Sequence, residues 1–175
     1  MTPPFPPVSA AELAVLRAQL GRPARGVLGI AARCVCGNPT VVATAPRLED
    51  GTPFPTFYYL THPAATIAMS VIEAEHVMRE LGDWLADDEE VAAAYRAAHE
   101  AYIRDRDVFG EVPEIAGISA GGMPTRVKCL HAVAAHALAA GPGVNPVGDA
   151  ALARSDWSPQ RCVCEQPGAA RTASA

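Results

Sequence analysis

The sequence lacks the charge pattern of a general nucleic-acid-binding protein. Its 175 residues carry a formal net charge of -5, and no basic stripe is present along which a phosphate backbone could bind. Neither GxGxxG nor GxxxxGK[ST], the glycine-rich motifs of dinucleotide and phosphate binding, occurs in it. General nucleic-acid binding is therefore excluded from the expected functions, and only a local basic pocket remains open.

Long apolar segments are also missing. The N-terminal stretch MTPPFPPVSAAELAVLRAQL lacks the basic first segment and the apolar run of a secretory signal. The alanine-rich run at residues 132–140 is interrupted by His136 and stopped by GPG, which makes it too short to span a membrane. We therefore expect a soluble, cytoplasmic protein that does not bind membranes.

The number of cysteines is odd. Four of the five cysteines lie in two copies of RCVC, at residues 33–36 and 161–164, and the fifth is Cys129. Because cytoplasmic thiols are kept reduced, this pattern argues against a disulfide framework. Metal binding, catalysis and simple burial remain as roles for these side chains.

The first third of the chain predicts one helix and a small sheet. Ser9, a glutamate three residues later and Gly21 mark the ends of a short amphipathic helix. Three apolar or aromatic runs bounded by glycine and proline then predict short strands, in GVLGIAARC, PTVVATAP and PFPTFYYLTHP. A three-stranded antiparallel sheet is the arrangement we expect.

The rest of the chain predicts helices. Apolar residues at steps of three and four from Ala64 to Leu85 predict one long helix. Asp87 and Asp88 cap a second helix, whose buried stripe is Val91, Tyr95, Ala98 and Tyr102. A third begins near Pro124 and ends at Ala140, and a short helix follows in DAALARSDW.

These elements predict an α+β fold in which three longer helices cover one face of a sheet of about three strands. Apolar residues make up half of the chain, which suffices for one core. We expect a single domain at residues 9–157, a flexible N-terminus at residues 1–8 and a mobile C-terminal tail at residues 158–175.

The two RCVC copies differ in context. Alternate side chains of a strand share a face, so Cys34 and Cys36 can point toward one site. A single intervening residue is nevertheless a weaker zinc signal than the usual two. Cys162 and Cys164 lie in the predicted tail, which must first be ordered at an entropic cost. We therefore expect Cys34, and not the tail pair, to control metal content.

His62, Cys129 and His131 are the other candidate ligands. His62 ends the third predicted strand, where it can face Cys34 and Cys129 or simply cap the following helix. On a regular helix Cys129 and His131 diverge by about 200°, so they can share an ion only if the first turn is irregular. Alternatively, Cys129 is a thiolate nucleophile with His131 or His62 as its base.

Arg126 and Lys128 flank the predicted start of the third helix. Free backbone N–H groups and the positive end of the helix dipole lie there, and two cations beside them suit a phosphate or carboxylate. The expected partner is a small anionic ligand.

Four stretches together resemble the bacterial family called domain of unknown function number 501. They are PFPTFYYLTHP, EVAAAYRAAHEAYIRDRD, SAGGMPTRVKCLH and GPGVNPVGD, and the likeness extends from about Leu13 to Trp157. This family is common in actinobacteria and has no established activity. Its genes often lie near those of a septum-formation protein, enolase and an exopolyphosphatase.

The resemblance favours one ligand set. Members of this family show a cysteine before a turn where this chain has Cys34, and Cys or His where it has His62. They also share the RVKCLH element that contains Cys129 and His131. Since Cys and His both bind zinc and iron, we predict a metal site of these four residues, with zinc first and an iron–sulfur cluster second. We expect this site to be structural, or hydrolytic if one coordination position of the ion stays open to water. The alternatives are an enzyme with Cys129 as its nucleophile and a metal-free module that binds division or polyphosphate proteins.

Overall fold

The structure is a computed structural model that describes residues 3–164. Within this range the chain forms six α-helices, three β-strands and a 3₁₀ turn at Pro113–Ile115. In chain order the elements are α1 (Ala10–Leu20), β1 (Val27–Arg33), β2 (Pro39–Thr44), β3 (Tyr58–Leu60), α2 (Pro63–Ala74), α3 (Val77–Asp87), α4 (Glu89–Asp107), α5 (Leu130–Ala140) and α6 (Pro146–Arg154). The predicted mixed α+β fold is confirmed, although three longer helices understate the helix count of the described range.

The sheet has the order β1-β2-β3, and both strand pairs are antiparallel. Alternate side chains of β2 point to opposite faces. Val41 belongs to the main core with the helices that follow the sheet, whereas Val42 packs with Ile30 and Leu16 of α1. Helix α1 therefore covers the face opposite the main core.

The N-terminus of α1 follows the sequence pattern. The Ser9 hydroxyl accepts from the Glu12 N–H, and the Glu12 carboxylate accepts from the Ser9 N–H. Gly21 ends the helix in the left-handed conformation. Both predicted helix ends are confirmed. They could be predicted because each capping signal depends on residues within a single turn.

The predicted long helix from Ala64 to Leu85 is two helices. His76, at φ 64°, separates α2 from α3. Leu81 and Leu85 are buried as predicted, but α2 buries Ala65, Met69 and Ile72 and leaves Ile67 and Val71 exposed. The break changes the helical phase, so the stripe extended back from α3 is wrong in α2.

Helix α4 confirms its prediction. The Asp88 carboxylate accepts from the N–H groups of Glu90 and Val91, and Tyr95, Ala98 and Tyr102 are buried. The cap and the stripe both belong to one uninterrupted helix, so its local periodicity predicted its packing.

Helix α5 lies at the centre of the main core and begins later than predicted. Its first residue is Leu130, not a residue near Pro124. Gly121 and Gly122 both have positive φ, and their carbonyls accept from the backbone N–H groups of Lys128 and Arg126. This local loop uses the N–H groups that an earlier helix start would have left free.

Both ends of the described range contact the domain. The Phe5 ring stacks on Phe109 with 5.9 Å between centroids, and residues 158–164 lie beside the turn after β1, as described below. The predicted mobile tail also includes residues 165–175, which lie outside the described range. No helix of the described range is long and apolar enough to cross a membrane.

Candidate metal centre

The first RCVC forms a tight turn at the end of β1. The Cys34 N–H donates to the Asn38 carbonyl over 2.9 Å, and the Gly37 N–H donates to the Cys34 carbonyl over 2.8 Å. Gly37 has φ 91°, which favours glycine at this position. Cys34 is buried and Cys36 is exposed, so the turn presents one thiol to the interior and one to the surface.

The second RCVC is held against this turn. Trp157, only 6% exposed, anchors the chain after α6. The Val35 N–H then donates to the Pro159 carbonyl over 2.9 Å, and the Arg161 N–H closes a turn on the Ser158 carbonyl over 3.1 Å. The segment that leads to Cys162 is therefore hydrogen-bonded to the turn after β1, which the composition of this segment did not predict.

The two RCVC copies bring four cysteines together. The Sγ atoms of Cys34, Cys36, Cys162 and Cys164 all lie within 4.8 Å of one another. Those of Cys36 and Cys164 are 3.4 Å apart, far longer than a disulfide of about 2.05 Å, and all four thiols are free. In a tetrahedral zinc site with Zn–S bonds of about 2.3 Å, neighbouring sulfurs lie about 3.8 Å apart. The thiols are thus spaced as ligands of a single ion.

The four thiols differ in their electrostatic environment. The backbone N–H of Asn38 lowers the pKa of Cys36 to about 7, whereas burial raises the pKa of Cys34 and that of Cys164, the latter to about 12. The exposed Cys36 is therefore more readily ionised than Cys34, its neighbour on the turn after β1. A bound cation would stabilise the thiolate forms of Cys34 and Cys164.

His62, the N-cap residue of α2, touches this cluster. Its Nδ1 accepts from the Ala65 N–H over 3.4 Å, so it caps α2, and its Nε2 lies 3.0 Å from the Cys164 Sγ. The ring is buried and packs against Trp157, with 5.4 Å between centroids. Burial lowers the pKa of His62. With Nδ1 used as an acceptor, a neutral ring carries its proton on Nε2, which then donates to the sulfur of Cys164.

A second group of possible ligands lies at the start of α5. Glu73, Cys129 and His131 each place one donor atom within 4.8 Å of the others. Cys129 precedes the helix with φ -151° and ψ 113°, so its side chain does not follow the helical phase that would turn it away from His131. The Cys129 Sγ and the His131 Nδ1 are 4.0 Å apart. The departure from helical geometry that this pair requires is present, because Cys129 lies just before the first residue of the helix.

Glu73 organises the second group. Its Oε1 accepts from the Leu130 N–H over 2.7 Å and lies 3.2 Å from the His131 Nδ1. The hydrogen bond with His131 lowers the pKa of Cys129, and the same contact raises that of His131. Glu73 meets α5 because α2 has its own helical phase, which the break at His76 separates from that of α3.

The structure divides the predicted ligand set of Cys34, His62, Cys129 and His131 between these two groups. Cys34 belongs to the four-cysteine group, His62 contacts that group through Cys164, and Cys129 and His131 belong with Glu73. Cys162 and Cys164, which were expected in a tail and outside the ligand set, lie beside Cys34 and Cys36 in the four-cysteine group. The exact repetition of RCVC was the signal for this pairing.

Arg126 and Lys128, the residues of the predicted anion site, lie in the loop before α5 and not at a helix start. The prediction required a helix start near Pro124, but the first turn of α5 begins at Leu130, where the Glu73 carboxylate already occupies the backbone N–H. Arg126 and Lys128 lie in the preceding loop, and their own N–H groups bond to glycine carbonyls.

Comparison with known proteins supports the family and adds no activity. Neither the search of curated proteins nor the search of solved structures found a match. One family model, described as protein of unknown function (DUF501), matches residues 30–153. The matched range includes Cys34, Glu73 and Cys129, whereas the second RCVC lies beyond it. The chain therefore belongs to the DUF501 family of proteins of unknown function.

Proposed function

We propose that this chain is a metal-binding domain in which Cys34, Cys36, Cys162 and Cys164 hold one structural zinc ion. The observation that carries the proposal is the mutual approach of their four Sγ atoms within 4.8 Å. Two of the ligands come from the turn after β1 and two from the segment after α6. The ion would therefore fasten the C-terminal segment to the sheet.

The donor set favours zinc and a structural role. Four thiolates complete a tetrahedral zinc shell and leave no position for water, which is the arrangement of structural sites. An iron–sulfur cluster places several iron and sulfide atoms between its cysteines, and therefore needs wider separation than these thiols have. A hydrolytic role for this ion has no support, because it requires an open position.

His62 supports the thiolate form of the site. Nε2–H donates to the Cys164 Sγ over 3.0 Å, and a hydrogen bond to a ligand atom orients it and stabilises its negative charge. His62 would thus be a neighbour of the metal ligands and not a ligand, because Nδ1 is already used to cap α2.

Metal content tests the proposal directly. Full-length protein, expressed without a histidine tag and purified without chelator, is analysed for zinc per chain by inductively coupled plasma mass spectrometry. Cys162→Ser combined with Cys164→Ser should lose one zinc ion per chain and lower the melting temperature, since binding of a structural ion contributes to folding stability. Val163→Ser is the matched control, because Val163 is exposed and lies between the two cysteines.

Truncation gives an independent form of the test. A chain ending at Trp157 should lose the same ion, whereas a chain ending at Cys164 should keep it. If the zinc-saturated double serine variant holds as much zinc as zinc-saturated wild-type protein, the four-cysteine site is wrong.

A further inference from the structure

The surroundings of His131 require a positive charge on one side of its ring. Its Nε2 lies 3.1 Å from the Thr66 carbonyl oxygen, which can only accept, so Nε2 carries a proton. The opposite nitrogen, Nδ1, faces the Glu73 carboxylate at 3.2 Å. A nitrogen lone pair and a carboxylate repel each other unless a proton or a metal cation lies between them.

The Thr66 contact is the arrangement that prepares a histidine for metal binding. A ligating imidazole usually donates its other N–H to a carbonyl or a carboxylate, which fixes its tautomer and its orientation. Ser70 adds a second contact, with its hydroxyl 3.2 Å from the same Nε2. The ring is therefore oriented by α2 so that Nδ1 points at Glu73 and Cys129.

The distances between the donor atoms fit one small ion. For a tetrahedral zinc ion with bonds of about 2.0 Å to nitrogen and about 2.3 Å to sulfur, the N–S separation is about 3.5 Å, and the N–O separation is about 3.4 Å. The observed values are 4.0 Å for the Cys129 Sγ and 3.2 Å for the Glu73 Oε1, both measured to the His131 Nδ1. Small side-chain adjustments would suffice to bring the donors to a shared ion.

We propose that Glu73, Cys129 and His131 form a second zinc site, separate from the four-cysteine group. One sulfur, one nitrogen and one oxygen ligand leave a fourth position for water or a substrate atom, which is the ligand count of catalytic zinc sites. All three residues lie within the part of the chain matched by the family model. The side chains of His131 and Glu73 are 26% and 24% exposed, so an exchangeable ligand can reach the ion.

Zinc stoichiometry in isosteric variants provides the first test. Wild-type protein saturated with zinc should hold about two ions per chain, and Glu73→Gln and Cys129→Ser should each hold about one. Glu73→Gln can retain the acceptor for the Leu130 N–H, so the cap of α5 is preserved. Glu75→Gln, an exposed carboxylate at the end of the same helix, is the matched control and should leave the zinc content unchanged.

Thiol protection provides the second test and reports on Cys129 alone. Zinc-saturated and zinc-depleted wild-type protein are treated with iodoacetamide, and the alkylated Cys129 peptide is quantified by mass spectrometry. A metal-bound thiolate is a poor nucleophile, so zinc should slow alkylation by roughly tenfold or more, and this protection should disappear in Glu73→Gln.

Two results would overturn the second site. One is a zinc content that is equal in wild type, Glu73→Gln and Cys129→Ser. The other is rapid alkylation of Cys129 at the same rate with and without zinc, which would identify a free thiolate paired with His131. Loss of the four-cysteine ion alone, in the Cys162 and Cys164 double variant, should leave the protection of Cys129 by zinc unchanged.

Discussion

Removal of the Tyr102 hydroxyl should destabilise the segment that leads into β3. The Tyr102 side chain is fully buried. Its hydroxyl accepts from the Phe57 N–H over 2.5 Å and lies 3.3 Å from the Tyr58 nitrogen, and it donates to the Pro55 carbonyl over 3.2 Å. The hydroxyl thus ties residues 55–58, which lead into β3, to α4.

The expected magnitude follows from these partners. Tyr102→Phe keeps the ring but removes the hydroxyl that these buried backbone groups share as a hydrogen-bond partner. Leaving them without it costs about 1–3 kcal/mol of unfolding free energy. The Phe57 N–H also contacts the Pro55 carbonyl, so we expect the lower half of that range. Tyr102→Ala also empties the ring position beside Phe57, Tyr58 and His136 and should cost about 3–5 kcal/mol.

Urea denaturation of both variants at a fixed zinc concentration measures these differences, since bound metal itself shifts apparent stability. Tyr59→Phe is the control. Tyr59 lies on the opposite face of the sheet with the α1 cluster, and its variant should stay within about 0.5 kcal/mol of wild type. If Tyr102→Phe is equally neutral, the hydroxyl does not hold the segment and the reasoning fails.

Three further perturbations test the core and the helix ends. Burial lowers the pKa of His136 to about 4, so the neutral ring contributes stability above its unfolded pKa of about 6.5. This stability, up to about 3 kcal/mol, is lost as pH falls toward 4, and urea melts across pH 7 to 4 should show a flatter dependence in His136→Gln. Asp88→Ala should cost about 1 kcal/mol in the same assay through loss of the α4 cap, and an unchanged midpoint would contradict that role. Gly148→Ala should cost about 1–3 kcal/mol because its new Cβ would lie 2.2 Å from the Val133 carbonyl oxygen. The control Gly82→Ala, whose Cβ would have nothing within 4 Å, should be neutral or stabilising. Equal effects of the two substitutions would refute the close packing of α5 and α6.

Local signals predicted most of the elements. The capping box at Ser9, the Asp88 cap and the tyrosine stripe of α4 each act within one helix, and all three agree with the structure. The three strands were predicted from their composition and from the turns between them. These predictions succeed because capping, periodicity and turn chemistry depend on residues only a few positions apart.

Helix phase and helix ends were predicted less well. The break at His76 and the loop at Gly121 and Gly122 are small departures from a regular pattern. Each nevertheless changes which side chains meet. Ile67 faces outward, Glu73 faces α5, and Cys129 lies outside the helix that was expected to contain it.

The sequence by itself determined the α+β class, the family and the side chains that are able to bind a metal ion or act as nucleophiles. Only the tertiary structure decided which of them share a site. Cys36 and Cys164 are 128 residues apart in the chain, and their approach depends on Trp157 being buried against His62 and on the backbone hydrogen bond from Val35 to Pro159. No local pattern encodes such closure, because the entropy of ordering the C-terminal segment is offset by contacts made with distant parts of the fold.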